Sequence, residues 1–590
     1  MLFAPQYVGP GKARRTCFSR LAAYLLTLLA IALTTNSSLA AQPQWLWGTP
    51  HAQTQAKAGR CDFRHTFQLS KPTQGLLRIT CDNRYALRLN GRLVGLGNDW
   101  QQWDAYQVDA LLTDGENELL IRCYNDADGP AGLALQLTVE TADGEREIVT
   151  DDTWQAKIQR DGTWDPTIEA RTPWGAVHVS GPVDQTAPWS DGGRTIATAT
   201  EPRKIETRVA SDGPFTLRAG DRVVWLGGTF IEREQRYGYL EAALTTVFPA
   251  AKVVQRNLGW SGDTVWGEAR ARFGAAKDGF EHLETHVFAE APSLIFVAYG
   301  GNESFAGENG LDSFIAGYER LLDVLASTGA ELILLTPTPC EAAGPALRDP
   351  ATQNANLRLY SDAIRQLAEQ RQYRVVDLFS QLEPTAHELG YTGPLTDNGM
   401  HLTSLGYWLA AQTVLKELGL QPTSCQCELD AEGMQARAVG CRVAQLTGNA
   451  AHLQWRISDV SPAIPPPNVQ LPSAQSIRIT HLPPGNYQLR LNGHPAITAT
   501  ADDWSDGISL PTWTSVQANS LLTEMRHKNQ LYFHRWRPQN ETYLFLFRKH
   551  EQGNNAVEIP QFDPLIDQVE AAINPLAQPT SIEAELIRQP

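Results

Sequence analysis

The stretch from Val223 to Gln235, VVWLGGTFIEREQ, places a hydroxyl side chain at a turn where it could act as a nucleophile. An apolar run that reads as a buried strand ends in two glycines, and Thr229 follows them directly before a helical pattern. Glycines allow the sharp backbone turn that exposes a residue at the end of a strand. The stretch therefore predicts that Thr229 is a nucleophile, although this position is more commonly a serine.

The elements around Thr229 alternate between strands and helices from about residue 215 to residue 420. Continuous apolar strands separated by amphipathic helices predict a parallel sheet that is covered on both faces. In such sheets the reactive side chains gather beyond the carboxyl ends of the strands. The predicted strands are Val223–Leu226, Val253–Asn257, Leu294–Tyr299, Glu331–Leu335 and Val375–Leu378.

Four polar segments follow the ends of these predicted strands. GGTF comes after the first, NLGWSGDT after the second, YGGNES after the third and TDNGMHLTSLGYW after the fifth. Their order and spacing resemble the four blocks of the SGNH, or GDSL, hydrolase family over some two hundred residues. The resemblance implies a three-layer α/β/α, flavodoxin-like domain that hydrolyses ester bonds.

The resemblance also implies a role for each residue. The family's nucleophile falls on Thr229, its base on His401, and its oxyanion donors on the amides of Gly262 and Asn302. Two positions depart from the family pattern. Thr229 replaces serine, and Asn398 stands three residues before His401, where the family has an orienting aspartate. Either Asp397 orients His401 after a register shift of one residue, or Asn398 does so as a neutral acceptor.

Thr229 also has a purely structural interpretation. A threonine before a helix that starts near Ile231, with Glu232 three residues later, fits a capping box. Two functions therefore remain open: an esterase of weak activity, or a degenerate scaffold that only binds a glycan. A glycoside hydrolase is a third possibility, but it needs two facing carboxylates, and no convincing pair follows the strands.

The segment 44–195 reads as a β-sandwich. Its Asn90-Gly91 pair lies between alternating apolar residues and predicts a hairpin. The order of its turns resembles the galactose-binding-like jelly-roll modules that accompany glycoside hydrolases. Three tryptophans of the segment either stack on sugars or fill the core, and filling the core is the favoured interpretation. They are Trp100, Trp103 and Trp154.

The remaining segments complete a multidomain prediction. We expect a signal peptide at 1–40, the sandwich at 44–195, the hydrolase domain at 205–422, a small β domain at 423–510 and a helical segment at 511–590. The helical segment either covers the cleft or packs on the α/β domain. Seven cysteines follow the predicted signal, and Cys441 is placed to bridge either Cys425 or Cys427.

Charge and the N-terminus restrict partners and location. The net charge of −16 argues against a nucleic-acid partner, since phosphate binding needs a basic surface. Basic residues, an apolar run and SSLAAQ predict export with cleavage near Ala40, and an uncleaved anchor is the alternative. After cleavage we expect no membrane contact. We expect no cofactor and no metal, and a small-molecule or polysaccharide ester as substrate, with acetylated sugars favoured by association with the jelly roll.

Overall fold

A computed structural model describes residues 42–159, 173–190, 202–204, 213–342, 349–421, 424–469, 471, 475–510 and 515–590. The predicted signal peptide lies outside these residues. Within these ranges, no helix has the length and apolar character that a membrane crossing requires.

The N-terminal module is a sandwich of two sheets, in which all strand pairs are antiparallel except the short parallel pair of 203–204 with 106–107. The first sheet has the order β12-β1-β8-β3-β6-β13, with β9 beside β8, and the second has the order β11-β10-β2-β7-β4-β5. The core between the sheets is apolar, as the alternating sequence predicts. The elements are β1 (Gln44–Trp47), α1 (Ala52–Gln55), β2 (Gly59–Leu69), β3 (Gln74–Asp82), β4 (Arg84–Leu89), β5 (Arg92–Gly97), β6 (Asp104–Gln107), β7 (Gly115–Asn125), β8 (Gly132–Thr141), β9 (Gly144–Val149), β10 (Gln155–Gln159), β11 (Gly175–Ala176), β12 (His178–Pro182) and β13 (Arg203–Lys204).

The predicted hairpin joins β4 to β5. Asn90 and Gly91 both have positive φ angles, 52° and 76°, as a tight hairpin turn requires. The tryptophans of the module pack internally, in agreement with the core interpretation. Trp154 is buried, and Trp100 and Trp103 are half-buried against a buried tryptophan pair.

The central domain contains a five-stranded parallel sheet in the order β15-β14-β16-β17-β18. This order and the helices on both faces confirm the predicted three-layer α/β/α fold. Its elements are β14 (Arg222–Gly227), α2 (Thr229–Glu234), α3 (Tyr239–Val247), β15 (Val254–Gly259), α4 (Ala276–Ala289), β16 (Leu294–Ala298), α5 (Leu311–Ala326), β17 (Glu331–Leu335), α6 (Ala351–Arg371), β18 (Arg374–Val376), α7 (Leu378–Glu388) and α8 (Ser404–Glu417).

Alternate strand residues build two separate cores, because successive side chains point to opposite faces of a sheet. Val223 and Trp225 of β14 pack on one face with α3 and α8, whereas Val224 and Leu226 pack on the other with α4 and α5. Both faces of each strand are therefore buried, which explains its continuous apolar sequence.

The sandwich is joined to the central domain by charged contacts. Glu284 of α4 accepts hydrogen bonds from Arg88 at 2.7 Å and from Arg122 at 2.9 Å. Burial alone would raise the pKa of Glu284, but Arg122 and Arg88 hold that pKa below its usual value. The carboxylate is thus charged and fully paired at the domain interface.

The C-terminal β domain has two sheets, in the orders β20-β19-β23-β26 and β21-β22-β27-β24-β25. Its last strand, β27, comes after the helical segment in sequence but pairs with both β22 and β24. The elements are β19 (Cys425–Asp430), β20 (Gln435–Val439), β21 (Arg442–Asn449), β22 (His452–Val460), β23 (Gln475–Thr480), β24 (Asn486–Leu491), β25 (His494–Thr500), α9 (Ala501–Asp506), β26 (Ile508–Ser509) and β27 (Thr580–Arg588).

The prediction of a helical segment to residue 590 is therefore wrong at its end. Its helices are α10 (Ser515–Trp536), α11 (Glu541–Leu544), α12 (Lys549–Gln552) and α13 (Phe562–Ala577). The strand was missed because its apolar residues alternate over only a short length after a Pro-rich turn. Helix α10 packs on the central domain, where Lys528 and Glu241 form a buried ion pair.

Cys441 bridges to Cys425, which settles the pairing that the sequence left open. The remaining cysteine of this group, Cys427, keeps its thiol buried beside the disulfide, and burial raises the pKa of that thiol to about 12.

Candidate active site

The four predicted segments meet at the carboxyl edge of the parallel sheet. Thr229 follows β14, Gly262 follows β15, Asn302 follows β16, and His401 lies in the loop before α8. Thr229, Asn302 and His401 line one pocket of about 120 Å³, with Gly228 and Asp263. The topology thus assembles side chains that are up to 172 positions apart in the sequence.

Thr229 is the first residue of α2, and its hydroxyl faces the neighbouring loop. Its Oγ1 accepts a hydrogen bond from the backbone N–H of Gly262 at 3.1 Å. The capping-box interpretation is wrong, because the N-cap residue is Gly228 and no side chain caps this helix. Glu232 instead accepts the backbone N–H of Ser261 at 2.7 Å.

A close approach between α2 and β15 requires a glycine. A Cβ atom on Gly259 would lie 2.1 Å from the backbone nitrogen of Glu232. Helix α2 therefore begins directly against the end of β15, and this contact brings Thr229 next to the Gly262 loop. Asn257 strengthens the contact, since its side-chain amide donates to the carbonyl of Ile231 at 2.7 Å.

Asn302 presents its side-chain amide to the same pocket. One N–H of this amide donates to the carbonyl oxygen of Asp263 at 2.8 Å. A side-chain amide has two N–H groups, and the second takes no part in this bond. The Asp263 carboxylate is buried and is held by Arg270 at 2.5 Å and by the Tyr299 hydroxyl at 2.9 Å. Asp263 therefore fixes both the loop that carries Gly262 and the side-chain amide of Asn302.

Glu303 supports the same loop through its buried carboxylate. It accepts backbone N–H groups from Val265 at 2.8 Å and from Gly300 at 2.9 Å. Burial raises the pKa of Glu303 to about 7, and these two hydrogen bonds oppose that shift. Since both oxygens accept backbone donors, Glu303 serves as a support for the segments around Asn302.

His401 is oriented by Asn398, but not in the way the sequence analysis expected. The Asn398 Oδ1 accepts the backbone N–H groups of Met400 at 3.2 Å and of His401 at 2.9 Å. Its amide nitrogen therefore faces Nδ1 of His401, at 2.8 Å. Since an amide nitrogen can only donate, Nδ1 must accept, and the neutral ring carries its proton on Nε2.

The expectation that Asn398 is a neutral acceptor for His401 is thus wrong. Both N–H groups that meet Oδ1 are donors, so the amide is held with its oxygen toward the backbone. A general base at Nε2 needs the opposite tautomer, with the proton on Nδ1. The site therefore holds its histidine in the tautomer that is least able to take a proton from Thr229.

Asp397 does not replace the missing aspartate. Its carboxylate pairs with Arg233 of α2 at 2.9 Å, and its backbone N–H donates to the carbonyl of His401. Burial and the positive charge of Arg233 lower the pKa of His401, whereas Asp397 partly opposes them. Asp397 thus acts on the ring through its charge, without a hydrogen bond to it.

Several residues that shape the site were missed by sequence reasoning. Glu341, after β17, accepts the backbone N–H groups of Leu395 and Thr396 and thereby holds the His401 loop. Phe305 and Met400 line the pocket and remain largely exposed, at 59% and 45%. The position of Glu341 after the fourth strand was an available signal, because polar residues at that edge face the site.

Helix α10 of the C-terminal segment packs on the central domain through the Lys528–Glu241 ion pair, which agrees with the plainer of the two expectations. None of the described residues that line the pocket belongs to this segment. Among the described residues, three cysteines lie close enough together to bind a metal ion: Cys425, Cys427 and Cys441. They lie outside the pocket, and two of them, Cys425 and Cys441, form the disulfide.

The fold and these side chains define a hydrolase domain of the SGNH type. The model of the GDSL-like lipase/acylhydrolase family matches residues 220–409, which contain the whole parallel sheet of the central domain and the residues of the pocket.

Three comparisons describe what the chain is similar to. An alpha-L-rhamnosidase from Streptomyces avermitilis is 30% identical over 165 residues, which is 24% of this chain. The chain spans only 15% of the length of that curated relative. A gut microbial diltiazem-metabolizing enzyme has a similar structure, with a TM-score of 0.51 and 16% identity, covering 63% of this chain and 99% of that chain. An acetylxylan esterase from Geobacillus stearothermophilus has a TM-score of 0.29 and 19% identity, covering 35% of this chain and 98% of that chain.

Proposed function

We propose that this protein hydrolyses carboxylic esters on carbohydrates, acetyl groups above all, through an acyl-threonine intermediate. The observation that carries the proposal is the hydrogen bond between Thr229 Oγ1 and the Gly262 amide, in the pocket that also holds Asn302 and His401. The hydroxyl and the predicted oxyanion donors therefore occupy one site.

In the proposed reaction, Oγ1 of Thr229 attacks the ester carbonyl and His401 accepts its proton at Nε2. The amides of Gly262 and Asn302 stabilise the negative charge on the carbonyl oxygen. The alcohol leaves with the proton from His401, and water then hydrolyses the acyl-threonine. His401 can act as the base only after the Asn398 amide releases Nδ1, so turnover is slow.

The pocket and one relative support the proposed acyl group and alcohol. A pocket of about 120 Å³ beside Thr229 suits a small acyl group such as acetyl. The exposed faces of Phe305 and Met400 offer apolar contacts to a sugar ring. The similarity to an alpha-L-rhamnosidase over 165 residues supports a carbohydrate as the alcohol.

The direct test is acetate release by the purified full chain from p-nitrophenyl acetate and from acetylated xylan. We expect slow turnover of both substrates, and loss of turnover in Thr229→Ala. Equal rates for the unsubstituted protein and Thr229→Ala would contradict the proposal, because the acyl-threonine could not then form.

The tautomer of His401 favours a second candidate function, a carbohydrate-binding protein on this hydrolase scaffold. A ring that cannot accept a proton at Nε2 still donates a hydrogen bond to a bound hydroxyl group. Calorimetry with deacetylated and acetylated xylan separates the two candidates. Binding of both polymers without any acetate release would favour the binding protein.

We also propose that the protein is exported, on the basis of the basic, apolar and small-residue pattern before Ala41. Mass spectrometry of the exported fraction should find a chain that begins near Ala41 or Gln42. A soluble exported chain that still contains Met1 would contradict cleavage at this position.

A further inference from the structure

Arg537 reaches the back of the active site from the C-terminal helical segment. It lies directly after α10, more than 270 positions beyond the Gly262 loop in the sequence. Its Nη1 lies 2.7 Å from Oε2 of Glu232, and its guanidinium carbon lies 3.5 Å from the ring centroid of Trp260. Arg537 therefore contacts both α2 and the loop that precedes Gly262.

Glu232 connects Arg537 to the oxyanion loop. The same carboxylate oxygen, Oε2, accepts the backbone N–H of Ser261 at 2.7 Å. The next amide along the chain, that of Gly262, donates to Thr229 Oγ1 at 3.1 Å. Two consecutive backbone amides of this loop thus donate to side chains of α2, that of Ser261 to Glu232 and that of Gly262 to Thr229. Arg537 binds Glu232, the first of these two side chains.

The charge of Glu232 makes its partner important. An unpaired carboxylate beside the loop would repel the negative charge that develops on the substrate oxygen during the reaction. The side chains of Glu232 and Arg537 are 17% and 27% exposed, so water screens this charge only partly. The planar guanidinium supplies the opposite charge and at the same time covers the ring of Trp260.

We propose that Arg537 is a positioning residue for the esterase reaction. It compensates the negative charge of Glu232 and holds the loop Trp260–Gly262 in the geometry that receives the oxyanion. This inference rests on the proposed function. It assigns the helical segment a part in catalysis although none of its described residues lines the pocket.

The test compares Arg537→Ala with Arg535→Ala in the full-length protein. Arg535 is a matched control, because it lies two residues earlier and its ion pair is with Asp563, away from the loop. We expect Arg537→Ala to lower kcat about tenfold with little change in KM, which is less than the loss from removing an oxyanion donor outright. Arg535→Ala should retain kcat within about twofold.

Two further variants separate positioning from folding. Arg537→Lys keeps the charge but loses the planar contact with Trp260, so its kcat should lie between those of Arg537→Ala and the unsubstituted protein. In the double variant Glu232→Gln/Arg537→Ala, the unpaired charge is gone and the amide oxygen still accepts the Ser261 N–H. This double variant should recover most of the kcat that Arg537→Ala loses.

Hydrogen exchange at the amides of Ser261 and Gly262 provides a readout that does not need activity. Faster exchange in Arg537→Ala than in Arg535→Ala is expected. The inference is overturned if the two variants have the same exchange and the same kcat, or if the double variant is slower still. If the unsubstituted protein has no esterase activity, the proposed function is rejected. The comparison of hydrogen exchange would then test by itself whether Arg537 positions the loop.

Discussion

The amide nitrogen of Asn398 lies 2.8 Å from Nδ1 of His401, and this contact determines which ring nitrogen carries the proton. In serine proteases, replacing the orienting aspartate by asparagine leaves the geometry intact but lowers kcat by about 10⁴ because the imidazole adopts the wrong tautomer. This chain has the same arrangement, since the Asn398 oxygen is fixed by two backbone donors.

Asn398→Asp should therefore raise kcat at neutral pH by tenfold or more, toward the factor of about 10⁴ known from serine proteases. One carboxylate oxygen can keep the two backbone N–H groups while the other accepts Nδ1–H and stabilises the imidazolium. Steady-state hydrolysis of p-nitrophenyl acetate measures the effect. An unchanged kcat in a folded Asn398→Asp protein would show that the tautomer does not limit the reaction.

Thr229→Ser should raise esterase activity or at least preserve it, because it removes one methyl group and keeps the hydroxyl. Thr229→Ala should abolish most activity and leave the free energy of unfolding within about 1 kcal/mol, since Thr229 caps no helix. Turnover and melting temperature are measured together. An active but clearly destabilised Thr229→Ala protein would contradict the nucleophile assignment.

Asn302→Ala should lower kcat by about 10²–10³ if the free N–H of this amide holds the oxyanion. KM should change little, because the interaction forms in the transition state. Cys340→Ala is a suitable control, since Cys340 lines the same pocket but lies on another loop. Equal kcat values for the two variants would remove Asn302 from the mechanism.

The acid limb of the pH–rate profile should lie below pH 6.5. The base must be neutral, and burial together with Arg233 lowers the pKa of His401, so activity persists to lower pH before the ring is protonated. Arg233→Met removes one of the causes and leaves Asp397 unpaired, so it should move the limb to higher pH. A limb that stays in place or moves down would exclude His401 as the titrating group.

Glu284→Gln should destabilise the junction between the sandwich and the central domain, because it leaves the buried Arg88 without a carboxylate and leaves Arg122 with its longer contact to Asp62, at 3.9 Å. The loss of a partner from a buried ion pair costs about 3–5 kcal/mol. The pKa of Glu284 is lowered in the folded protein, so its contribution is present above its unfolded pKa and is lost as the pH falls through its folded pKa.

Glu281→Gln is the matched control for this interface. Glu281 is one turn earlier on α4, and its contact with Arg60 is longer, at 3.9 Å. Calorimetric unfolding of both variants should give a larger loss for Glu284→Gln at pH 7. Equal losses would show that the two arginines do not depend on Glu284.

The central domain was predictable from sequence because its evidence is local. Apolar runs such as Val223–Leu226 identify buried strands, and glycines mark the turns after them, so the position of Thr229 followed. The orientation of Asn398 was not predictable, since it depends on backbone N–H groups that converge only in the folded loop. Arg537 was beyond reach for a different reason: its partner Glu232 is 305 positions away, and no short-range pattern links them.

The placement of β27 means that the helical segment is an insertion within the C-terminal β domain. During synthesis, more than eighty further residues are made after β24 before β27, the strand that lies between β22 and β24, is complete. Until then each has one unpaired edge, and contacts of such long sequence separation form slowly. Helix α10 precedes β27 in the chain and can dock on the central domain in that interval, so β27 completes its sheet after the helix is in place.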